Sequence, residues 1–552
     1  MLVLRPWQEE CKNKALAWFE NGNKTFLMNV APGGGKTKAS CVIAKELIEK
    51  GEIDCVVAIA PRRSVVHQWA EDFQAICGRT MMQITGNDED LEAYPGVDFV
   101  VTWSALGDAS AAFYQICQNK RVLAFCDEHH HAGREAAWGD GADNAFSDAK
   151  HTLVLTGTPI RSDGSESVWM AYDNRGRIDH PADGTFTLSY GEAVDLGYCR
   201  PITFHRHEGN FTVVFNDGEE AAVSGTNGVG ENENVRRVPA LQRAIEFYKL
   251  ACTPIFNDAG DPCTDSYQAT MLEWGIQKLD EMRMRMPHAG GLVIAHNIEM
   301  ANYMADLLEI IEGERPFVVH NQITRADQKI KAFKTSTNRW LVSVGMVSEG
   351  VDIPRLRVLV YLPYARTELA FRQAMGRVVR NDGPKDSTRA YVVMPAHLIF
   401  DEYARRVELE MSPRHRTEPA APRTKECPIC GTECEVNAKA CHECDEEFPI
   451  GHFRQKTCHA CESPNPLGAQ SCVACGESFA HDFTVQLNDA LRHGAIVRGM
   501  EVEEEEVVLG ETLAPQLEKK VLRSGDEFLI NLLRTVPEES YGRLARMMGD
   551  IK

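Results

Sequence analysis

Seven consecutive residues, Ala31-Pro32-Gly33-Gly34-Gly35-Lys36-Thr37, carry the most specific chemistry in this chain. Glycines let backbone N–H groups turn inward without a Cβ in the way. With the N-terminus of a following helix, such donors make an anion site. In a Gly-Lys-Thr ending, Lys36 reaches the β- and γ-phosphates of a nucleotide and Thr37 ligates Mg²⁺. The general phosphate-loop pattern opens with one more glycine, and Val30 stands there instead. A second pair, Asp127-Glu128, closes the apolar run Val122 to Cys126. Two adjacent acids at the end of a buried strand need a cation, because they otherwise repel in a low-dielectric site. Asp127 is placed to hold Mg²⁺, and Glu128 to orient and deprotonate an attacking water. Taken alone, Asp127-Glu128-His129-His130 also reads as a polar loop or, with His131, as a fragment of a metal site.

The third chemical signature is cysteine. Of 18 cysteines, nine are scattered singly from Cys11 to Cys263 and nine are packed between Cys427 and Cys475. Cys427-x-x-Cys430 and Cys441-x-x-Cys444 are separated by ten residues, and Cys458-x-x-Cys461 and Cys472-x-x-Cys475 repeat that spacing. Two copies of one four-cysteine pattern point to two structural Zn²⁺ sites, since zinc favours four thiolates in a tetrahedron. Cys434, His442 and His459 read as bystanders. A disulfide scaffold is the rival, and the single cysteines beside a nucleotide site argue for a reducing compartment instead.

These residues need elements to hold them. Thr25 to Val30 reads as a buried strand and Lys38 to Ile48 as a helix, the setting a phosphate loop requires. Cys55–Ala60, Val97–Val101, Val122–Cys126 and Thr152–Leu155 are further apolar strands, with helical stretches between them. Polar motifs at the carboxyl ends of such strands mark the ligand side of an open parallel sheet. Between Tyr172 and Pro287 the pattern weakens to a short helix, a strand and a hairpin around Asn216-Asp217-Gly218. A second alternating series then begins at Gly291 and runs through Phe317, Trp340 and Val358 to the arginine-bearing helix Gln373-Ala374-Met375-Gly376-Arg377-Val378-Val379-Arg380. Ahead of the phosphate loop, Gln8 could hydrogen-bond both edges of an adenine, or cap a surface helix.

At 552 residues the chain is too long for one ordinary core. Apolar content of 43% and charged content of 25% place it among globular proteins. No run of about 18 apolar residues appears, so no membrane span is expected, and the first residues lack a secretory pattern. The net charge of −21 excludes a surface that is basic throughout; nucleic acid would have to bind in a local basic groove.

The ordered set Arg5-Pro6-Trp7-Gln8, APGGGKT, Asp127-Glu128-His129-His130, Thr156-Gly157-Thr158-Pro159, Ser348-Glu349-Gly350-Val351-Asp352 and QAMGRVVR resembles a superfamily 2 helicase over roughly residues 1–400. The DEHH form is similar to the DExH branch that includes restriction translocase subunits and repair helicases. The resemblance implies two RecA-like domains with ATP and Mg²⁺ between them. It implies that Arg5, Gln8, Gly33, Gly34, Gly35, Lys36, Thr37, Asp127, Gly350 and Asp352 bind the nucleotide. Lys36, Glu128, Gln373, Arg377 and Arg380 would be catalytic, with Arg380 matching the arginine finger. Pro61, Arg62 and Thr102 would contact the nucleic-acid backbone. His130, Thr156 and Thr158 would couple hydrolysis to domain movement. Val344 occupies the place of the threonine common in DEAD-box members, which fits the DExH branch better.

The expected fold is α/β: two tandem RecA-like parallel-sheet domains, a small zinc-ribbon module and a helical tail. The expected boundaries are a nucleotide-binding domain over 1–185, a connector with insertion over 186–287, a second RecA-like domain over 288–412, a basic linker over 413–425, two Cys₄ ribbons over 426–478, and an acidic segment with helical tail over 479–552. The expected function is an ATP-dependent nucleic-acid helicase or translocase, with DNA favoured over RNA and the cytoplasm as default location. A duplex translocase that leaves strands paired is one rival. Another is an ATP-gated clamp that recruits protein partners through its ribbons or tail.

Overall fold

The computed structural model describes residues 4–61, 63–86, 97–128, 137–157, 169–172, 178–214, 220–224, 228–229, 246–257, 259–323, 325–344, 353–364, 367–381, 386, 388–411, much of 424–486, and 523. Two sheets organise them. The first is fed by β1 (Thr25–Val30), β2 (Cys55–Ala60), β3 (Met81–Ile84), β4 (Asp98–Thr102), β5 (Val122–Asp127) and β6 (His151–Thr156). After a small antiparallel pair, β7 (Ala171–Tyr172) and β8 (Ile178–Asp179), β9 (Thr185–Leu188) completes it. Its order is β3-β4-β2-β5-β6-β1-β9, parallel throughout.

Strand β2 shows why the reading by apolar runs works here. All six of its residues are buried. Val56, Ala58 and Ala60 pack on one face with Trp69 and Phe73 of α3 (Arg63–Cys77). Cys55, Val57 and Ile59 pack on the other with Trp103 and Phe113 of α4 (Trp103–Asn119). A parallel sheet covered on both faces has no polar side to alternate with. Strand β3 escaped the sequence reading because it is four residues long with exposure in its middle.

The second sheet begins with the thirteen-residue β10 (Ile202–Val214). It continues with β11 (Glu220–Ser224), β12 (Gly228–Val229), β13 (Gly290–Ala295), β14 (Phe317–Val319), β15 (Trp340–Ser343), β16 (Leu356–Leu362) and β17 (Ala390–Pro395). Its order is β12-β11-β10-β17-β16-β13-β15-β14. Only the β10–β11 and β11–β12 pairings are antiparallel. Tandem RecA-like sheets, the expected architecture, are what the chain builds.

Two placements differ from the sequence reading. β10 was expected in a connector, but Ile202–His207 pairs in parallel with β17 at the centre of the second sheet. Alternating exposure along β10 hid its membership. The segment after the ribbons was expected to open an acidic, helical tail. Instead Ala480–Gln486 forms a strand in parallel with Glu208–Val214. Its Phe483 ring sits 5.5 Å from Phe211 and 5.4 Å from Tyr267. The acidic run and the tail beyond Gln486, Arg523 aside, lie outside the described residues.

The ribbons between these elements are two short hairpins. β18 (Thr424–Glu426) pairs with β19 (Glu433–Glu435), and β20 (Gln455–Thr457) with β21 (Pro464–Pro466), both antiparallel. The strand Ala480–Gln486 is β22. No helix among the described residues is long and apolar enough to cross a membrane.

Candidate nucleotide site and metal clusters

The phosphate loop leaves β1 and enters α2 (Lys36–Glu49). Gly33 adopts φ 82°, and a Cβ there would come 2.9 Å from Arg380 Cγ, so both the turn and the approach of the arginine require glycine. Val30 explains its own departure from the general pattern. Its side chain fills the space under the loop, and a Cβ on Gly34 would lie 2.6 Å from Val30 Cγ1. The missing glycine is replaced by packing.

Arg5 and Gln8, at the start of α1 (Pro6–Glu20), brace this loop. Arg5 Nη1 donates to Gly34 O at 2.9 Å, and Gln8 Nε2 donates to Gly35 O at 3.1 Å. Gln8 Oε1 accepts from Arg5 N at 3.0 Å. The amide keeps one further N–H and one further lone pair. Tyr198 lies beneath Arg5, whose guanidinium carbon is 4.7 Å from the ring centroid.

The acids arrive at the end of β5. Asp127 is buried, and its Oδ2 accepts from the Trp69 indole N–H at 2.9 Å. The Trp103 indole donates to Asp127 O at 3.2 Å. Burial, then the neighbouring Glu128, push the Asp127 carboxyl up to about 6, against the pull of Lys36 and the Trp69 N–H. Glu128 turns the chain with φ 50°, a left-handed conformation that costs a non-glycine residue roughly 1–2 kcal/mol. Strain of this kind persists where surrounding structure imposes it, often at functional sites. Here it accompanies a side chain whose Oε1 is 3.5 Å from Lys36 Nζ.

The opposite wall comes from a helix of the second domain, labelled α5 (Glu368–Val378). Gln373 and Arg377 on this helix, and Arg380 just beyond it, share one 440 Å³ cavity with Arg5, Gln8, Gly33, Gly35, Lys36, Thr37, Pro61, Asp127 and Glu128. Five cationic residues line it (Arg5, Lys36, Lys38, Arg377, Arg380) against three acids (Asp72, Asp127, Glu128). The cavity therefore has a surplus of two positive charges in a chain of net −21. That balance suits a polyphosphate. Thr37 and Asp127 line the same cavity, and a hydroxyl beside a buried carboxylate is an oxygen donor set of the kind Mg²⁺ takes.

Some expected residues lie elsewhere. Thr102 is 3% exposed, and its hydroxyl caps α4 by accepting from Ala105 N at 3.2 Å. Its neighbour Ser104, hydrogen-bonded to it at 3.1 Å, is the exposed hydroxyl at that turn. Pro61 lines the nucleotide cavity. Thr156 is buried at the end of β6, paired with Asn29. Arg62, His130, Thr158, Gly350 and Asp352 lie outside the described residues. Trp69, Trp103 and Tyr198 were not foreseen as site residues. The available signal was that a buried indole N–H needs a partner, and a strand-end acid is the natural one.

The cysteine clusters are separate from this cleft in sequence. Cys427, Cys430, Cys441 and Cys444 bring four sulfurs within 4.8 Å of one another, as do Cys458, Cys461, Cys472 and Cys475. Closest pairs are 3.5–3.6 Å apart. Four thiolates at Zn–S of about 2.3 Å in a tetrahedron stand about 3.8 Å apart, whereas a disulfide needs about 2.05 Å. The spacing fits zinc and excludes disulfides. In both copies a knuckle N–H points at sulfur: Glu443 N to Cys441 Sγ and Ala474 N to Cys472 Sγ, each 3.4 Å. Cys434, a presumed bystander by sequence, is buried with Sγ 3.7 Å from His442 Nδ1. Asn465 fills the matching place in the second ribbon and donates to Cys472 Sγ at 3.5 Å.

Comparison with known proteins adds the family. The model for "Type III restriction enzyme, res subunit" matches residues 1–161, and that for "Helicase conserved C-terminal domain" matches residues 275–382. An uncharacterized protein of Mycobacterium leprae is 31% identical over 400 residues, covering 72% of this chain and 63% of the relative. An uncharacterized protein of Mycobacterium tuberculosis strain H37Rv is also 31% identical, covering 72% and 62%. The chain thus spans under two thirds of the length of these relatives. A solved fragment of a putative HsdR subunit of a type I restriction enzyme from Vibrio vulnificus is 16% identical, covering 73% of this chain and 66% of the fragment, with a TM-score of 0.49.

Proposed function

Because the chain belongs to the superfamily 2 helicases, we propose that it is an ATP-driven motor that moves along nucleic acid, with DNA as its track. The observation that carries this reading is the shared cavity. Lys36, Asp127 and Glu128 stand on its first-domain wall, and Gln373, Arg377 and Arg380 on its second-domain wall. A site split between two domains is complete only when they close, so turnover and domain movement are one event. DNA is favoured because the first domain matches a restriction-enzyme subunit family.

In this mechanism the loop N–H groups and Lys36 hold the phosphates. Thr37 and Asp127 would hold Mg²⁺, which would supply positive charge against the charge developing on the phosphates. Glu128 orients water and takes its proton. Arg380, aided by Arg377, stabilises charge on the γ-phosphate in the transition state. Arg5 and Gln8 set the loop, and the free N–H and lone pair of the Gln8 amide suit adenine. The two four-cysteine clusters would hold Zn²⁺, which would supply folding energy to the ribbons.

The test is steady-state ATP hydrolysis with no nucleic acid, single-stranded DNA, duplex DNA or RNA, each at low and high salt, with Glu128→Gln as blank. Stimulation by single-stranded DNA that fades with salt supports a tracking helicase, because phosphate contacts dominate such grip. Stimulation by duplex alone reassigns it as a translocase that leaves strands paired. RNA-only stimulation overturns the DNA assignment. Binding without any stimulation favours an ATP-gated clamp.

A further inference from the structure

The chain crosses from the first sheet to the second through Gly197–Arg200, and this crossing touches both walls of the nucleotide cavity. On the first-domain side, Tyr198 lies under Arg5 and the Cys199 thiol donates to Pro32 O of the phosphate loop at 3.3 Å. On the second-domain side, Cys199 forms an antiparallel bridge with Arg380. Arg200 N donates to Val379 O at 2.7 Å, and Asn381 Nδ2 donates to Gly197 O.

Arg200 does more than pass through. Its Nη1 donates to Val378 O, at the C-terminal end of α5, at 2.8 Å. A cation there answers the negative end of the helix dipole and satisfies a carbonyl that the helix cannot. Its Nη2 donates to Pro354 O at 2.9 Å, and its Nε to Asp386 Oδ2 at 2.8 Å. Asp386 also accepts from Arg357 Nη2 at 3.0 Å and from the Thr388 hydroxyl at 2.5 Å. The side chains of Arg200 and Arg357 have no exposed surface, and Asp386 retains 1%. Burial raises the Asp386 carboxyl, but the two guanidinium groups outweigh it and hold it at about 2. A buried ion pair adds little net stability over apolar side chains of equal volume. Its rigid fork gives fixed geometry instead.

We propose that Arg200, locked by Asp386, is a positioning residue that caps the arginine helix and sets Arg377 and Arg380 against the phosphate loop. The connecting segment is thereby the strut that reports nucleotide contact at Pro32 to the arginine wall. This rests on the reading of Arg380 as the cation of the ATPase reaction.

The experiment is single-turnover ATP hydrolysis and ADP binding by the full chain carrying Arg200→Lys, alone and combined with Arg380→Ala, each rate read above an enzyme-free reaction. Lysine keeps the charge but cannot make the fork. The expected result is a fall in kcat of about 10²-fold, the scale of a misplaced catalytic group, with ADP affinity within about 3-fold. In single turnover, Arg200→Lys then costs nothing further once Arg380 is gone, since residues acting as a unit are not additive. An equal loss in both backgrounds, an unchanged kcat, or a loss confined to ADP affinity overturns the proposal. Where Arg200→Lys lacks a cooperative melt, Thr388→Val takes its place in the same cycle and decides by the same criteria. If the wild type itself shows no hydrolysis above the enzyme-free reaction, the ATPase reading falls and this proposal with it. Additive losses in an active enzyme sink the proposal alone.

Discussion

The nucleotide cleft and the zinc ribbons are opposite solutions to assembling a polar site. Each ribbon draws its four ligands from one short segment, Cys427 to Cys444 or Cys458 to Cys475, closed by hairpins of three-residue strands. The cleft draws its residues from both sheets, from Leu4 and Arg5 before the first to Arg380 and Asn381 in the second domain. The ribbon is specified by local spacing, which sets four thiols around one point where a metal would hold them. The cleft is specified by the apolar packing of two sheets, one cluster of which runs through both, and by the segment that joins them. A site between two bodies changes whenever they move; a site within one short segment does not.

The comparison can be broken at several points. The largest expected effect is Arg380→Ala, with kcat down about 10³–10⁵-fold and ADP affinity largely kept, read by single-turnover hydrolysis and nucleotide titration. Glu128→Gln should follow with about 10²–10⁴-fold and an unchanged melt. If either loss tracks unfolding instead, the cleft is a structural junction and the contrast fails. The ribbons answer to metal. Cys427→Ser should halve the zinc content by metal analysis while ATP hydrolysis stays within about 3-fold, because the second cluster has its own four ligands. A dead ATPase would mean that the ribbons help to build the nucleotide cleft. Strand β22 is the exception that sharpens this. Phe483→Ala should cost about 3–5 kcal/mol in the urea unfolding of the second domain, although Phe483 follows the ribbons in sequence.

The smallest expected effect is one of pH. The Asp386 carboxyl is held down at about 2 from an ordinary 3.8. A depressed carboxyl contributes stability that is present above 3.8 and is lost as pH falls toward 2. That contribution is about 2 kcal/mol at neutral pH. The stability gap between wild type and Asp386→Asn in urea should therefore be constant from pH 7 to 5 and close below pH 4. A gap that persists into acid would mean the carboxylate charge is not what holds Arg200.

The cleft was legible wherever a residue type announces its chemistry. Lys36, Thr37, Asp127, Glu128, Gln373, Arg377 and Arg380 were all named from sequence and share one cavity. What escaped was whatever acts by position alone. Arg200 sits in a stretch that reads as a connector, and nothing in Tyr198-Cys199-Arg200-Pro201 announces a helix cap for residues far along the chain. Thr102 was read as a backbone-binding hydroxyl, whereas helix capping turns it inward. β22, with His481, Asp482 and Gln486, has no apolar run to reveal it and exists because β10 extends beyond β17 and offers an edge.

By itself the sequence determined two things: local geometry and local chemistry. Glycine spacing makes an anion loop and paired cysteines make a metal knuckle, because the interacting groups are few residues apart and need little else to meet. Tertiary structure decided which distant groups share a cavity, which cation caps which helix, and where the chain after the ribbons comes to rest. Those depend on contacts between segments far apart in sequence, whose ordering entropy is offset only when the apolar packing of both sheets forms.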